Sequence, residues 1–192
     1  MKMLSRTAAT ALLLGLAAQP VLAQQLSPPV IVIVDMDRVV NESAAGKQAG
    51  TELQTKITGL QSRASTLQTQ LKTEADAIQA GQANKTLAGP ALEQRAQAFG
   101  QKQQQAQQEL GRLEQDIQRS RQYVIKQITD GANPIITQVM RERGASIALA
   151  EGATLQHSAS IDVTTDVITR LNTSLPRVST TPPAAPAAAP RQ

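Results

Sequence analysis

The stretch VIVIVDMDRVVNES, Val30 to Ser43, decides how the rest of the chain is read. An apolar run, Val30 to Val34, turns within a few residues into the acid-flanked DMDRVVNES, in a chain otherwise dominated by Ala, Gln and charge. β-Branched residues at every position of the run predict a strand that is buried on both faces. Asp35 and Asp37 then stand where a strand turns into a helix, and helix capping accounts for them.

Upstream, Lys2 and Arg6, an apolar run from Ala8 to Ala18 and the triplet Val21-Leu22-Ala23 have the layout of a secretory leader, residues 1–23, cleaved after Ala23. Its apolar run is too short to cross a hydrocarbon layer of about 30 Å, so the mature chain is expected to be exported and soluble. Lys2 and Arg6 leave with the leader, so 17 of the 19 basic residues remain against 15 acidic ones, a net charge of +2. The charge is uneven, and residues 43–128 carry an excess of bases. With no cysteine, neither disulfides nor thiolate metal sites can hold the fold. One Phe and one Tyr leave few large anchors for a compact core.

Downstream, the apolar positions step by four and three: Leu53, Ile57, Leu60, Ala64, Leu67, Leu71 and Ile78. A second seam runs Leu92, Ala96, Phe99, Ala106, Leu110, Leu113, Ile117 and Val124, with Gln103 and Ser120 as polar interruptions. Such heptad spacing predicts helices packed along a coiled-coil edge. Between the seams, residues 81–90 contain Gly81, Asn84, Gly89 and Pro90 and read as a tip loop. There Gly81 ends one helix and Pro90 takes the first position of the next. The arms, 43–81 and 90–128, are each roughly 58 Å long at 1.5 Å per residue. Gly46, Gly50, Gly59, Gly100 and Gly111 lie inside them and should let them bend.

After the second arm, DGANPIITQVMRERG predicts a break and restart, with Asn133 as N-cap, Pro134 as first helical residue and Gly144 as terminator. Ala145 to Ala150 follows as a strand, and Leu155 and Ile161 mark short extended pieces. Asp162 caps a last helix with Val163, Val167, Ile168 and Leu171 on one face. Residues 175–192, rich in Pro and Ala, are expected to be a disordered tail. The fold class is therefore α+β. A small β body, residues 24–42 and 129–174, carries a long antiparallel helical-hairpin arm, residues 43–128. Three short strands cannot cover a run that is apolar on both faces or pair their own edges, so the body is expected to oligomerise. Ile31, Ile33, Val39, Ile147, Leu149 and Ile161 are its expected core and subunit contact.

Both ends of the mature chain resemble the Skp/OmpH family of periplasmic chaperones. IVIVDMDRVVNESAAGKQA, Ile31 to Ala49, is similar to that family's opening strand and helix start. NPIITQVMRERGASIALA and SIDVTTDVITRLN are similar to its closing helix, strand and helix. The resemblance covers about residues 30–172, although the arms match in heptad character rather than residue by residue. It implies a homotrimer whose hairpins enclose unfolded outer-membrane proteins in the periplasm, without ATP or another cofactor. The chain departs from the family at Ala145, where an aromatic residue is frequent, and in its proline-rich tail.

The residues offer little else. His157 is the single histidine, in a turn-like stretch where a surface position is the expectation. No metal-ligand set is in view. The basic arms lack interleaved aromatic residues to stack on nucleotides, so specific nucleic-acid binding is not expected. Lys56, Arg63, Lys72, Lys85, Arg95 and Lys102, in the outer half of the hairpin, are the candidates for attracting acidic clients, against the plainer reading of a solvated helix face. The expected partners are unfolded outer-membrane proteins and further copies of the chain. Peripheral contact with anionic lipid stays open, and membrane insertion is not expected. The competing reading from another class is a structural or adaptor coiled coil of the envelope that binds one folded partner.

Overall fold

The computed structural model describes residues 28–183. The expected leader and the last residues of the tail, from 184 on, lie outside the described residues. Strand β1, Ile31–Val34, leads into a short helix α1, Met36–Glu42, and then into α2, Ala44–Ala83. A tip loop joins α2 to α3, Pro90–Glu142. The chain returns through β2, Ile147–Ala150, and two 3₁₀ turns to α4, Thr164–Ser174.

Local chemistry sets each junction. Asp35 caps α1, its carboxylate accepting from the Arg38 N–H at 2.9 Å. Ser43, fully buried, caps α2 by accepting from the Gly46 N–H at 3.1 Å. A Cβ at Gly46 would stand 1.6 Å from the Val40 carbonyl oxygen, so only glycine lets α1 and α2 meet at this angle. At the tip the first helix runs two residues past Gly81, and Lys85 takes the left-handed conformation (φ 58°) that glycine usually fills. Pro90 opens α3 as its first residue. Gly144 (φ 64°) closes it, with the Ala145 N–H bonded to the Met140 carbonyl and the Gly144 N–H to that of Arg141. That paired closure satisfies carbonyls left free by the helix end.

The sheet holds two parallel strands, with Ile31 paired to Ile147 and Val34 to Ala150. Parallel strands need a long crossover, and here it is the entire hairpin. The expected third strand near Leu155 is absent among the described residues: residues 151–153 form a 3₁₀ turn and Leu155 is fully exposed. Near Ile161 only an isolated bridge forms, between Ile33 and Asp162. It lays residues 161–163 beside β1, and the Val163 N–H bonds the Ile33 carbonyl. Ile33 is consequently buried (2 % exposed) within one chain, so covering it requires no second subunit.

The main core lies at the hairpin root, where Val32, Val34 and Val39 join Ala45 and Ala49 of α2, Val124 to Val139 of α3, and Val163, Val167 and Leu171 beside or on α4. The sequence predicts a break before Pro134, yet α3 runs through it. Ile128, Ala132, Ile135 and Val139 form one buried stripe at spacings that only an unbroken helix provides. That burial outweighs an interior proline's cost of about 3 kcal/mol. The arms are therefore unequal, α2 of 40 residues and α3 of 53. The N-cap of α4 is Val163, not the expected Asp162, which stands one residue earlier and accepts from the Thr164 N–H at 2.8 Å; the expected face of α4 packs inward.

The tail departs most from expectation. Residues 176–183, read from composition as part of a disordered segment, lie across the hairpin root, with Val178 and Thr180 buried. Composition counts little here because the few side chains that matter find ready partners on both helices.

Candidate functional site

The arms present a charged surface over a thin apolar seam. Arg63 on α2 forks onto Glu109 of α3, its Nε and Nη2 lying 2.6 and 2.9 Å from the two carboxylate oxygens. The hydrogen bond from Arg63 holds Glu109 below the usual carboxylate range and raises Arg63 in return. Farther out, Glu74 receives Arg95 at 2.9 Å and Lys102 at 3.5 Å, and is likewise held low, first by its bond from Arg95. Lys72 pairs with Asp76 on its own helix at 2.8 Å. Lys56 donates to the Ser120 hydroxyl across the hairpin at 3.0 Å and to the Thr180 carbonyl at 2.8 Å.

Five of the six bases chosen from sequence thus hold a partner, and Lys85 at the tip is the one without an ion pair or side-chain hydrogen bond among the described residues. Lys47, Arg112 and Arg121, which sequence reasoning passed over, are exposed and form no ion pair among the described residues. The pairings that separate the two groups run across the hairpin. Only the Lys72–Asp76 spacing could have been foreseen in the sequence.

A groove of about 530 Å³ lies between the arms, lined by Leu67, Leu71 and Ala106 and bounded by Arg63, Glu74, Lys102 and Glu109. It joins apolar floor to charged rim without deep enclosure. Of the expected core residues, Ile33 and Val39 are buried, Ile31, Leu149 and Ile161 are half-buried, and Ile147 is 39 % exposed.

Among the described residues no cluster could hold a metal ion. His157 is more covered than expected, its side chain 17 % exposed, with Nε2 3.3 Å from the Glu151 carboxylate and Nδ1 3.3 Å from the Ser158 carbonyl. The hydrogen bond with Glu151, then that with Ser158, raises its pKa. These contacts pin the loop after β2. No described helix is long and apolar enough to cross a membrane.

A family model described as "Outer membrane protein (OmpH-like)" matches residues 30–171, from just before β1 into α4. The chain belongs to the OmpH-like family. Among solved structures, an OmpH-like protein of Caulobacter crescentus CB15, whose crystal structure is described as that of a candidate outer-membrane chaperone, superposes with a TM-score of 0.70 at 25 % identity. The match covers 80 % of this chain and 90 % of that one. No curated protein sequence matches. The family-model match ends before the tail segment that crosses the hairpin root.

Proposed function

We propose that the chain is an ATP-independent holdase of the periplasm. Three copies meet through their β bodies, and their basic hairpins enclose unfolded outer-membrane β-barrel proteins and prevent aggregation. Family membership and the description of the Caulobacter relative support the chaperone role.

The observation that carries this reading is the contrast between root and arm. Between Ile57 and Arg119 only Leu67, Ala106 and Ile117 are buried apolar residues, whereas the root holds a continuous core. Such arms offer many shallow apolar and charged contacts and no single shaped pocket. Lys47, Lys85, Arg112 and Arg121, without an ion pair among the described residues, supply attraction that acts over about 8 Å at physiological ionic strength. Assembly is supported by what one chain leaves uncovered: Val30 (47 % exposed) and Ile147 (39 %) beside a sheet of two strands, too few to be stable alone.

The test is dilution of a urea-unfolded outer-membrane protein into nucleotide-free buffer with and without the purified chain, followed by light scattering. Suppressed scattering, weakened by added salt and seen with several unrelated barrel proteins, is the expected result. Equal scattering refutes the reading, and capture of one folded protein alone favours the adaptor. Native mass measurement checks the trimer.

A further inference from the structure

Tail residues Arg177 to Thr181 are held in a way that identifies what the hairpin root can bind. The Val178 N–H points to α2, where the Gln48 side-chain carbonyl accepts it at 3.4 Å. Ser179 turns to α3, and the Gln127 amide pairs with both its N–H (3.1 Å) and its C=O (2.8 Å). The Thr180 carbonyl turns back to α2 and receives the Lys56 ammonium at 2.8 Å, while its hydroxyl donates to Glu52 at 2.7 Å. One group bonding both the N–H and the C=O of a single residue is the pairing of an antiparallel β-ladder, and alternation of sides is the strand's period of two. The side chains alternate as well, Val178 buried, Ser179 exposed and Thr180 buried, and the extended stretch ends in a bend at Thr180 and Thr181, where the Ser179 hydroxyl donates to the Thr181 carbonyl and accepts from its N–H, both at 3.1 Å. Val178 joins the root core, and Lys56 is steadied by buried Ser120.

We propose that this cleft between the roots of α2 and α3 is a binding site for extended polypeptide, and that the tail is its resident occupant. Four of the five bonds are to main-chain groups, so the site reads strand geometry, adding a pocket for a β-branched apolar residue and a carboxylate for a hydroxyl two positions later. Strands of outer-membrane barrels alternate apolar and polar residues over about ten positions and provide this pattern repeatedly. The inference rests on the holdase reading for the identity of the competitor, but the cleft itself does not. Because the tail follows α4 directly, its effective concentration is of millimolar order, so a client displaces it only by offering many segments at once.

The test uses the full chain carrying Val178→Asp, which expels the tail, and a fluorescein-labelled peptide of residues 176–182 read by anisotropy. The peptide should bind this variant about tenfold or more tightly than the unsubstituted chain, whose tethered tail competes. An alternating Val/Thr octapeptide should displace it and a Gly/Ser octapeptide should not, and Gln127→Ala should abolish binding. If Val178→Asp fails to fold by circular dichroism, Ser179→Pro serves instead, because it removes the N–H that Gln127 accepts while altering an exposed side chain. A folded variant that binds no peptide, or binds it no better than the unsubstituted chain, overturns the proposal and leaves the tail as a brace. Equal displacement by both octapeptides also overturns it. Peptide binding without protection of any barrel protein from aggregation would refute the holdase reading and leave the cleft standing.

Discussion

The Lys56 ammonium lies 3.0 Å from the Ser120 hydroxyl, joining α2 to α3 through a serine that is 2 % exposed. The seam's polar interruption is therefore a designed partner for a charge. Lys56→Met leaves the buried hydroxyl without its donor and the Thr180 carbonyl without its anchor, and should cost about 1–3 kcal/mol. Adding Ser120→Ala should return part of that loss. Urea denaturation of both single variants and the double variant at one protein concentration checks the coupling.

Glycines in the arms divide into two kinds. Gly46→Ala drives a methyl group into the Val40 carbonyl oxygen, a backbone atom that cannot swing aside, and should prevent the α1–α2 junction from forming. Gly50, Gly59, Gly100 and Gly111 face open space. Replacing each with Ala should raise stability by up to about 1 kcal/mol. The fourfold variant should melt higher and, with stiffer arms, protect large clients less well than small ones; unchanged client range in the scattering assay would remove the link between arm bending and capacity.

Lys85 joins two opposite effects. Its left-handed backbone carries a penalty that glycine escapes, so Lys85→Gly should stabilise by about 0.5–1 kcal/mol. The same change removes a tip charge that has no ion pair among the described residues. Thermal melting should therefore rise while client binding at low salt falls; for Lys72→Gln, where Asp76 already neutralises the base, the loss in binding should be smaller.

Only strong acid should loosen the contact between α3 and α4 through this ion pair. Arg170 forks onto Glu142 at 2.8 and 2.6 Å and, with Gln138, lowers its pKa from 4.5 to about 2. A depressed carboxyl contributes stability above its unfolded pKa that is lost as pH falls through its folded one. The difference in stability between the natural chain and Glu142→Gln should be full above pH 4.5 and vanish towards pH 2. Denaturation midpoints measured across that range decide it.

His157 runs the other way. Its pKa is raised from 6.5, so the charged ring's contribution is present below that value and lost as pH rises through the folded pKa. His157→Gln should match the natural chain at alkaline pH and fall behind it in acid, as read by proteolysis of the loop at residues 151–160.

Much of this architecture was legible because it rests on local patterns. The β-branched run announced β1, the heptad seams announced the hairpin, and Pro90 and Gly144 marked ends that their own backbone chemistry dictates. The reading failed where distant groups decide. Pro134 looks like a helix start until the buried stripe on either side of it is placed against α4, and Gly131 is explained by Leu175 and Leu171, whose Cδ2 and Cδ1 would lie 2.8 and 3.3 Å from an added Cβ. Likewise Arg63 and Glu109 are 46 positions apart, and no spacing rule joins them before the register of the two helices is known. The tail's place is not legible in composition, which measures average burial, whereas buried Val178 and Thr180 and the bonds from Gln48, Glu52, Lys56 and Gln127 hold it.

The parallel pairing of β1 with β2 has a consequence for how the chain is made. Val30 and Ser146, bonded at the sheet's edge, are 116 positions apart, so the first strand emerges from synthesis long before its mate exists. Closing so large a loop from a random coil is slow, whereas helices zip from neighbour contacts. The hairpin acts as a splint: once it has zippered, the ends of the chain are delivered side by side and the distant pairing becomes a local event. Until then a sticky strand is left bare, so the chain passes through its own interval of exposure.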